Sequence, residues 1–394
     1  MQEPTAETWS DPFVGSEGRL HAVASARCGM TDFGDAGEYM PALRQLLFAL
    51  EHDTALTPGG RHAFFERLVQ VLVGRAHSQR GWQEHPQSLR YDLPAPVVIT
   101  GLPRTGTTAL HRVLSMDPRF QGLQYWLINN PMPRPARSEW DAHPLYRQAV
   151  AELEALYRSV PEMRSAHSIV ADDVYECLLL TRQNFLSIDF TTNAHIPSYQ
   201  SWWLQQDSTR MWQRYRDNLR LIGLYEADRP WLLKNPALLF GLPGFASAFP
   251  EATIIQTHRH PVSSVASGIS LTRMARRSFE GDAASLGAAA EREVGLWGQG
   301  IDMAMDFRDA HPGRIVDVHF SRFASEPMAT IGEIYERCGL SLDAGTEAAM
   351  RRWLEDNPQD KFGTHRYSLE GTGQSEDGIR RRFERYIDTF DLAA

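Results

Sequence analysis

Residues 97–114 read VVITGLPRTGTTALHRVL and hold the densest chemistry in the chain. Gly101 and Gly106 stand in the G-x-x-x-x-G spacing of a phosphate-binding loop, between a short apolar run and a helical pattern. Glycine lets the backbone come close to a ligand. Successive amides at the start of a helix favour an anion. A loop for nucleoside triphosphates continues with Lys and Ser/Thr, but here the two positions are Thr107 and Thr108. The charge that would reach across two phosphates is therefore gone, and no acidic partner strand stands ready for a metal. The pattern predicts a phosphate-like ligand without a triphosphate–magnesium assembly, with Arg104 forking onto its outer oxygens.

Further cations follow apolar runs. WLLKN carries Lys234 and TIIQTH is followed by Arg259; RIVDVHF, from position 314, is a further strand-like run. RHPVSSVAS adds Ser267 on the helical pattern after Arg259, and an arginine and a helix-borne hydroxyl can share one phosphate. Four apolar runs separated by helical segments predict an α/β fold with a central parallel sheet and right-handed crossovers. Ligands in such sheets sit beyond the carboxyl ends of the strands, so Arg104, Lys234 and Arg259 should ring one crevice.

Other elements must frame it. Residues 1–35 read as an irregular arm and 36–80 as helical, with Thr57 as N-cap and Pro58 at the first helical position. Residues 139–225 read as mostly helical. There, DDVYECLLLTRQNFL as a helix would set Asp173 and Glu176 on one face.

These motifs resemble those of the sulfotransferases that use 3′-phosphoadenosine 5′-phosphosulfate (PAPS). The match is to the branch reading P-R-[ST]-G-T-T, which includes tyrosylprotein sulfotransferases and bacterial small-molecule enzymes. The resemblance implies a P-loop-type three-layer fold over residues 91–394, an arm and helical appendage over 1–90, and an acceptor-site insertion at about 139–225. It implies that Arg104, Thr105, Gly106, Thr107 and Thr108 grip the 5′-phosphate and sulfuryl group, and that Arg259 and Ser267 hold the 3′-phosphate. WLLKNP is similar to the family's LKSP element, which implies that Lys234 and Arg104 stabilise the transferring group and that PAP leaves as product. HRYSLEGTGQSEDGIRRRFERY resembles the segment that closes over the nucleotide.

Two positions depart from the family pattern. Leu127 follows Trp126 where a glutamate base is expected, and Leu238 stands where a histidine is frequent. RSAHSIVADDVYEC resembles a segment bordering the acceptor pocket, which brings in His167, Asp172, Asp173 and Glu176. His167 is the first choice of general base, since an ordinary imidazole titrates near neutrality. His195 and His260 are lesser candidates, each more naturally structural. Phe185, Phe190, Tyr199, Trp202, Trp203 and Trp212 read mainly as core, with a subset lining an apolar pocket beside Leu127 and Leu238. The acceptor expected is a hydrophobic or amphipathic small molecule with a hydroxyl.

Bulk properties narrow the alternatives. A net charge of −9 argues against nucleic acid or an acidic membrane as partner. No apolar run approaches the roughly 18 residues of a membrane span. Cys28, Cys177 and Cys338 form neither a disulfide framework nor a metal knuckle, which suits a reducing cytoplasm and no catalytic metal. A PAP- or PAPS-binding protein without turnover (a sensor, scaffold or partner subunit) and a P-loop kinase are the competing classes. Oligomeric state is not legible.

Overall fold

The computed structural model describes residues 10–161, 169–358 and 368–392. Its sheet has five strands: β1 (Val97–Gly101), β2 (Gln121–Gly122), β3 (Trp231–Lys234), β4 (Thr253–His258) and β5 (Ile315–His319). The order is β2-β3-β1-β4-β5 and every pairing is parallel. The four apolar runs are four of these strands. β2 has only two residues and no apolar run to announce it. β1 is buried along its whole length, as a strand covered by helices on both faces must be.

Side chains alternate across the sheet and feed two cores. Val98, Leu233 and Ile254 point to one face, where they join Leu219, Leu296 and Ile301. Val97, Ile99, Leu232 and Ile255 point to the other, where they join Leu110, Ile331 and Ile334. The result is helices, sheet, helices. β1 lies between β3 and β4, so the chain segments leaving these three carboxyl ends are neighbours.

Within residues 1–35, expected as an irregular arm, the structure has a helix, α1 (Glu17–Cys28), closed by left-handed Gly29. It buries only Leu20 and Ala24, too narrow a stripe to stand out from its polar neighbours. α2 (Met40–His52) and α3 (Pro58–Glu84) follow. Thr57 caps α3 as anticipated, its hydroxyl accepting from the Gly60 amide at 2.9 Å. These helices build a third core with Phe185, Phe190 and Tyr199. Arg75, fully buried on α3, locks them to the rest of the chain: it donates to the Gln183 carbonyl at 2.9 Å and pairs with Glu38 at 2.9 Å.

Residues 172–186 also depart from expectation. Asp173 takes the Val174 amide with its own carboxylate at 2.8 Å, a local bond that competes with helix. Val174 bridges to Gln124, and the Tyr175 amide donates to the Leu123 carbonyl at 2.9 Å. Only Cys177–Asn184 coils, as a 3-10 helix with Glu176 at its N-cap. Asp173 and Glu176 therefore share no helix face.

Candidate active site

The loop after β1 is shaped by backbone. Gly101 has φ 139°, and a Cβ there would stand 2.6 Å from the Thr257 carbonyl oxygen. Gly106 has φ 88° and caps α4 (Thr107–Leu114), where a Cβ would press to 2.8 Å from the Phe320 ring. Arg104, between them, also takes a left-handed backbone at φ 68°, with its side chain exposed. Thr105 is buried, and its hydroxyl donates to the Leu102 carbonyl at 2.6 Å and meets Thr257 Oγ1 at 2.5 Å. Its side chain holds the loop's shape and is not on the cavity wall. Arg104, Gly106, Thr107 and Thr108 are.

The other strand ends converge here. Arg259 Nη1 donates to the Arg104 carbonyl at 3.0 Å, and its guanidinium lies 4.4 Å over the Phe320 ring. Ser267 faces the same cavity from the Pro261–Glu280 helix, and its buried Oγ has no hydrogen-bond partner among the described residues. Lys234 is buried behind the wall. Its Nζ donates to Thr108 Oγ1 at 3.2 Å and forms an ion pair with Glu176. His111, on the sheet side of α4, is held neutral: burial, then the Lys234 charge, push its imidazole down to about 3.

The loop residues, Arg259 and Ser267 open on one cavity of about 2190 Å³. That is roughly twice the ~1,000 Å³ at the top of the usual range for one small ligand, so there is room for more than one. Its apolar walls come from Val71, Ile128, Leu178, Leu179, Ile188 and Trp297. Leu127 and Leu238 are fully buried in the core and do not line it, nor do Phe185, Phe190, Tyr199, Trp202, Trp203 and Trp212. The cavity's greasy surface is therefore real, but it is made by residues other than those the sequence suggested.

Among the proton-acceptor candidates, His167 lies outside the described residues, as does the stretch 365–367 of the C-terminal closing segment. Asp172 pairs with Arg137 at 3.2 Å and Asp173 with Arg112 at 2.9 Å. Glu176 lines the cavity. His195 sits 3.4 Å from Arg276 and off the cavity wall. His260 lines the cavity, but its Nδ1 accepts the Val262 amide as a helix N-cap; burial, then Arg380, lower its pKa.

Sequence reasoning missed several wall residues. Arg380, from the Glu376–Arg382 helix, reaches within 3.0 Å of His260 Nε2. The run Arg380-Arg381-Arg382 was its available signal. Arg67 on α3, Arg182 on the 3-10 helix and Asp189 also line the cavity, and only tertiary packing brings them together. Among the described residues no group of three or more His, Cys, Asp or Glu is placed to hold a metal. No described helix is long and apolar enough to cross a membrane.

Comparison with known proteins follows the same lines. The model of the "Sulfotransferase family" matches residues 96–344. The chain is 34% identical to sulfotransferase STF1 of Mycobacterium tuberculosis, with a TM-score of 0.86 over 95% of this chain and 99% of that one. Sulfotransferase STF9 of Mycobacterium avium superposes with a TM-score of 0.88 at 23% identity, covering 96% of this chain and 97% of its own. The omega-hydroxy-beta-dihydromenaquinone-9 sulfotransferase Stf3 of Mycobacterium bovis is 23% identical over 284 residues, 70% of each chain.

Proposed function

The chain belongs to the sulfotransferase family, and from that premise we propose that it transfers a sulfuryl group in line from PAPS to a hydroxyl of a hydrophobic or amphipathic small molecule, releasing PAP. The observation that carries the donor assignment is the meeting of Arg104, Arg259 and the partnerless Ser267 hydroxyl on one cavity. A buried hydroxyl without a partner costs about 1–3 kcal/mol, which a phosphate oxygen would recover. The residues fit a donor with two anionic ends. The loop amides, Arg104, Thr107 and Thr108 would hold the 5′ end; Arg259 and Ser267 would hold the 3′-phosphate. Thr105 serves through the loop's shape.

When bound, PAPS supplies an activated sulfuryl group on a phosphate leaving group. Lys234 fixes a positive charge behind Thr108, at the carboxyl end of β3, where preorganised charge stabilises a leaving oxygen. Arg104 contributes a second cation at the loop. Glu176 is the described residue best placed to take the acceptor's proton, since its carboxylate lines the cavity and the Lys234 ion pair orients it. His167 is the competing base. The apolar walls support a greasy acceptor, in the direction of the menaquinone derivative in the name of the Stf3 relative. Leu127 and Leu238 stand off the cavity, so the proton acceptor is sought among the residues that line it.

Calorimetry with PAP tests the donor assignment. Arg259→Ala should weaken PAP by about tenfold or more, the worth of a hydrogen bond to a charged group. Unchanged PAP affinity in that variant, or Mg·ATP binding tighter than PAP, would overturn it.

A further inference from the structure

One cluster on the cavity wall is not used by the donor or by the transfer step. Arg67 Nη2 lies 3.0 Å and 3.2 Å from the two Asp189 oxygens, and Arg182 Nη2 lies 2.8 Å from Asp189 Oδ1. Two guanidiniums thus share one carboxylate. Burial pushes the Asp189 carboxyl up, but the Arg182 and Arg67 charges outweigh it and hold it at about 2. Arginine does not lose its proton in proteins, so the trio keeps a formal surplus of one positive charge.

That surplus is poorly hydrated. The three side chains are 23%, 14% and 12% exposed, and the Nε atoms of both arginines have no partner among the described residues. A neutral ion pair would have served to tie α3 to the 3-10 helix. A second arginine on the same carboxylate adds a desolvated charge, which is costly unless something anionic completes it.

The trio also adjoins the transfer site. Tyr125 and Tyr175 both line the cavity, with ring centroids 5.2 Å apart, edge to face. Tyr175 precedes Glu176 and interacts electrostatically with Glu176, Arg182 and Asp189 alike. Apolar Ile128, Leu178 and Leu179 line the same cavity.

We propose that Arg67 and Arg182 form an anion subsite for the acceptor, so that the substrate is an amphiphile with a hydroxyl presented at Glu176, an apolar body and a carboxylate or similar oxyanion held by the two guanidiniums. This rests on the sulfuryl-transfer reading of the same cavity and names its acceptor class more narrowly. The fork geometry of arginine suits such a group, and a partly dehydrated site strengthens the contact.

The test is direct binding of sodium decanoate against 1-decanol, by calorimetry, on protein saturated with PAP so that the donor loop is filled. Wild type should bind decanoate about tenfold tighter than decanol or better. Arg67→Met and Arg182→Met should each bring the two ligands within about twofold while leaving PAP affinity unchanged, and Arg67→Lys should keep part of the preference because it keeps the charge. Equal binding of the two by wild type, no decanoate binding, or variants that weaken both ligands alike would overturn the proposal; the last pattern marks a merely structural trio. Failure of wild type to bind PAP counts against the donor assignment instead, and the decanoate comparison is then read on the protein alone.

Discussion

On the strand-end side of the cavity, the lining comes from turns at three adjacent strand ends: the β1 loop, Pro236 and Ala237 just after β3 with Lys234 behind them, and the β4 exit with Arg259. On the remaining walls it comes from side chains of α3, the 3-10 helix Cys177–Asn184, the Ile188–Asn193 helix and the Pro261–Glu280 helix. The first region is placed by the hydrogen-bond ladder of a sheet, which fixes neighbours to within a register step. The second is placed by packing of separate helices around apolar cores, so its chemistry depends on contacts far apart in sequence. The family match spans residues 96–344 and takes in the strand ends and most of these wall helices, whereas Arg67, Val71 and Gly74 of the wall lie before it and Arg380 lies after it.

If the division is right, damage at the strand ends should abolish chemistry and damage at the walls should change its choice of substrate. The largest effect is expected for Lys234→Ala, about 10²–10³-fold in kcat with little change in PAP affinity. Pre-steady-state turnover with PAPS would show it, and a variant that loses PAP binding instead would blur the distinction. Next comes the proton acceptor. Glu176→Gln should lower kcat by about 10²-fold or more and remove the acidic limb of the pH–rate profile. The same measurement on His167→Ala decides between the two bases, because only the true base abolishes the limb.

A smaller effect separates the walls from the strand ends. Asp189 has its folded pKa near 2, below its ordinary value of about 3.9. A depressed carboxyl contributes stability that is present above about pH 4 and is lost as pH falls toward 2. Wild type should exceed Asp189→Asn by about 2 kcal/mol near neutrality in denaturant titrations, with the gap closing between about pH 4 and pH 2. A gap independent of pH would mean the carboxylate gains nothing from its arginines.

Legibility in the sequence followed the same line. The loop, four strands and the strand-end residues Arg104, Lys234 and Arg259 could be read because each sits inside one short stretch with its own periodicity or glycine spacing. Glu176 was named but on the wrong element, since Asp173 closes a local hydrogen bond and the chain pairs with Leu123 and Gln124 before it coils. α1 was missed because two buried positions make no visible stripe. The aromatic residues of 185–212 were rightly suspected of being core, yet Leu127 and Leu238 were drawn into the pocket only because they replace polar residues of the family. The Arg67–Asp189–Arg182 trio could not be read at all: Arg67 and Asp189 are 122 positions apart, and nothing local marks either.

Arg104 carries one more implication. Its left-handed backbone costs a residue with a Cβ about 1–2 kcal/mol. Glycine at this position would relieve that, at about 0.5–1 kcal/mol of added chain entropy. Arg104→Gly should therefore be as stable as wild type or up to about 1.5 kcal/mol more stable in denaturant titrations, while turning over far more slowly. Durability and activity pull in opposite directions at this single position, so selection for a hardier protein alone would erode the enzyme from the middle of its own loop.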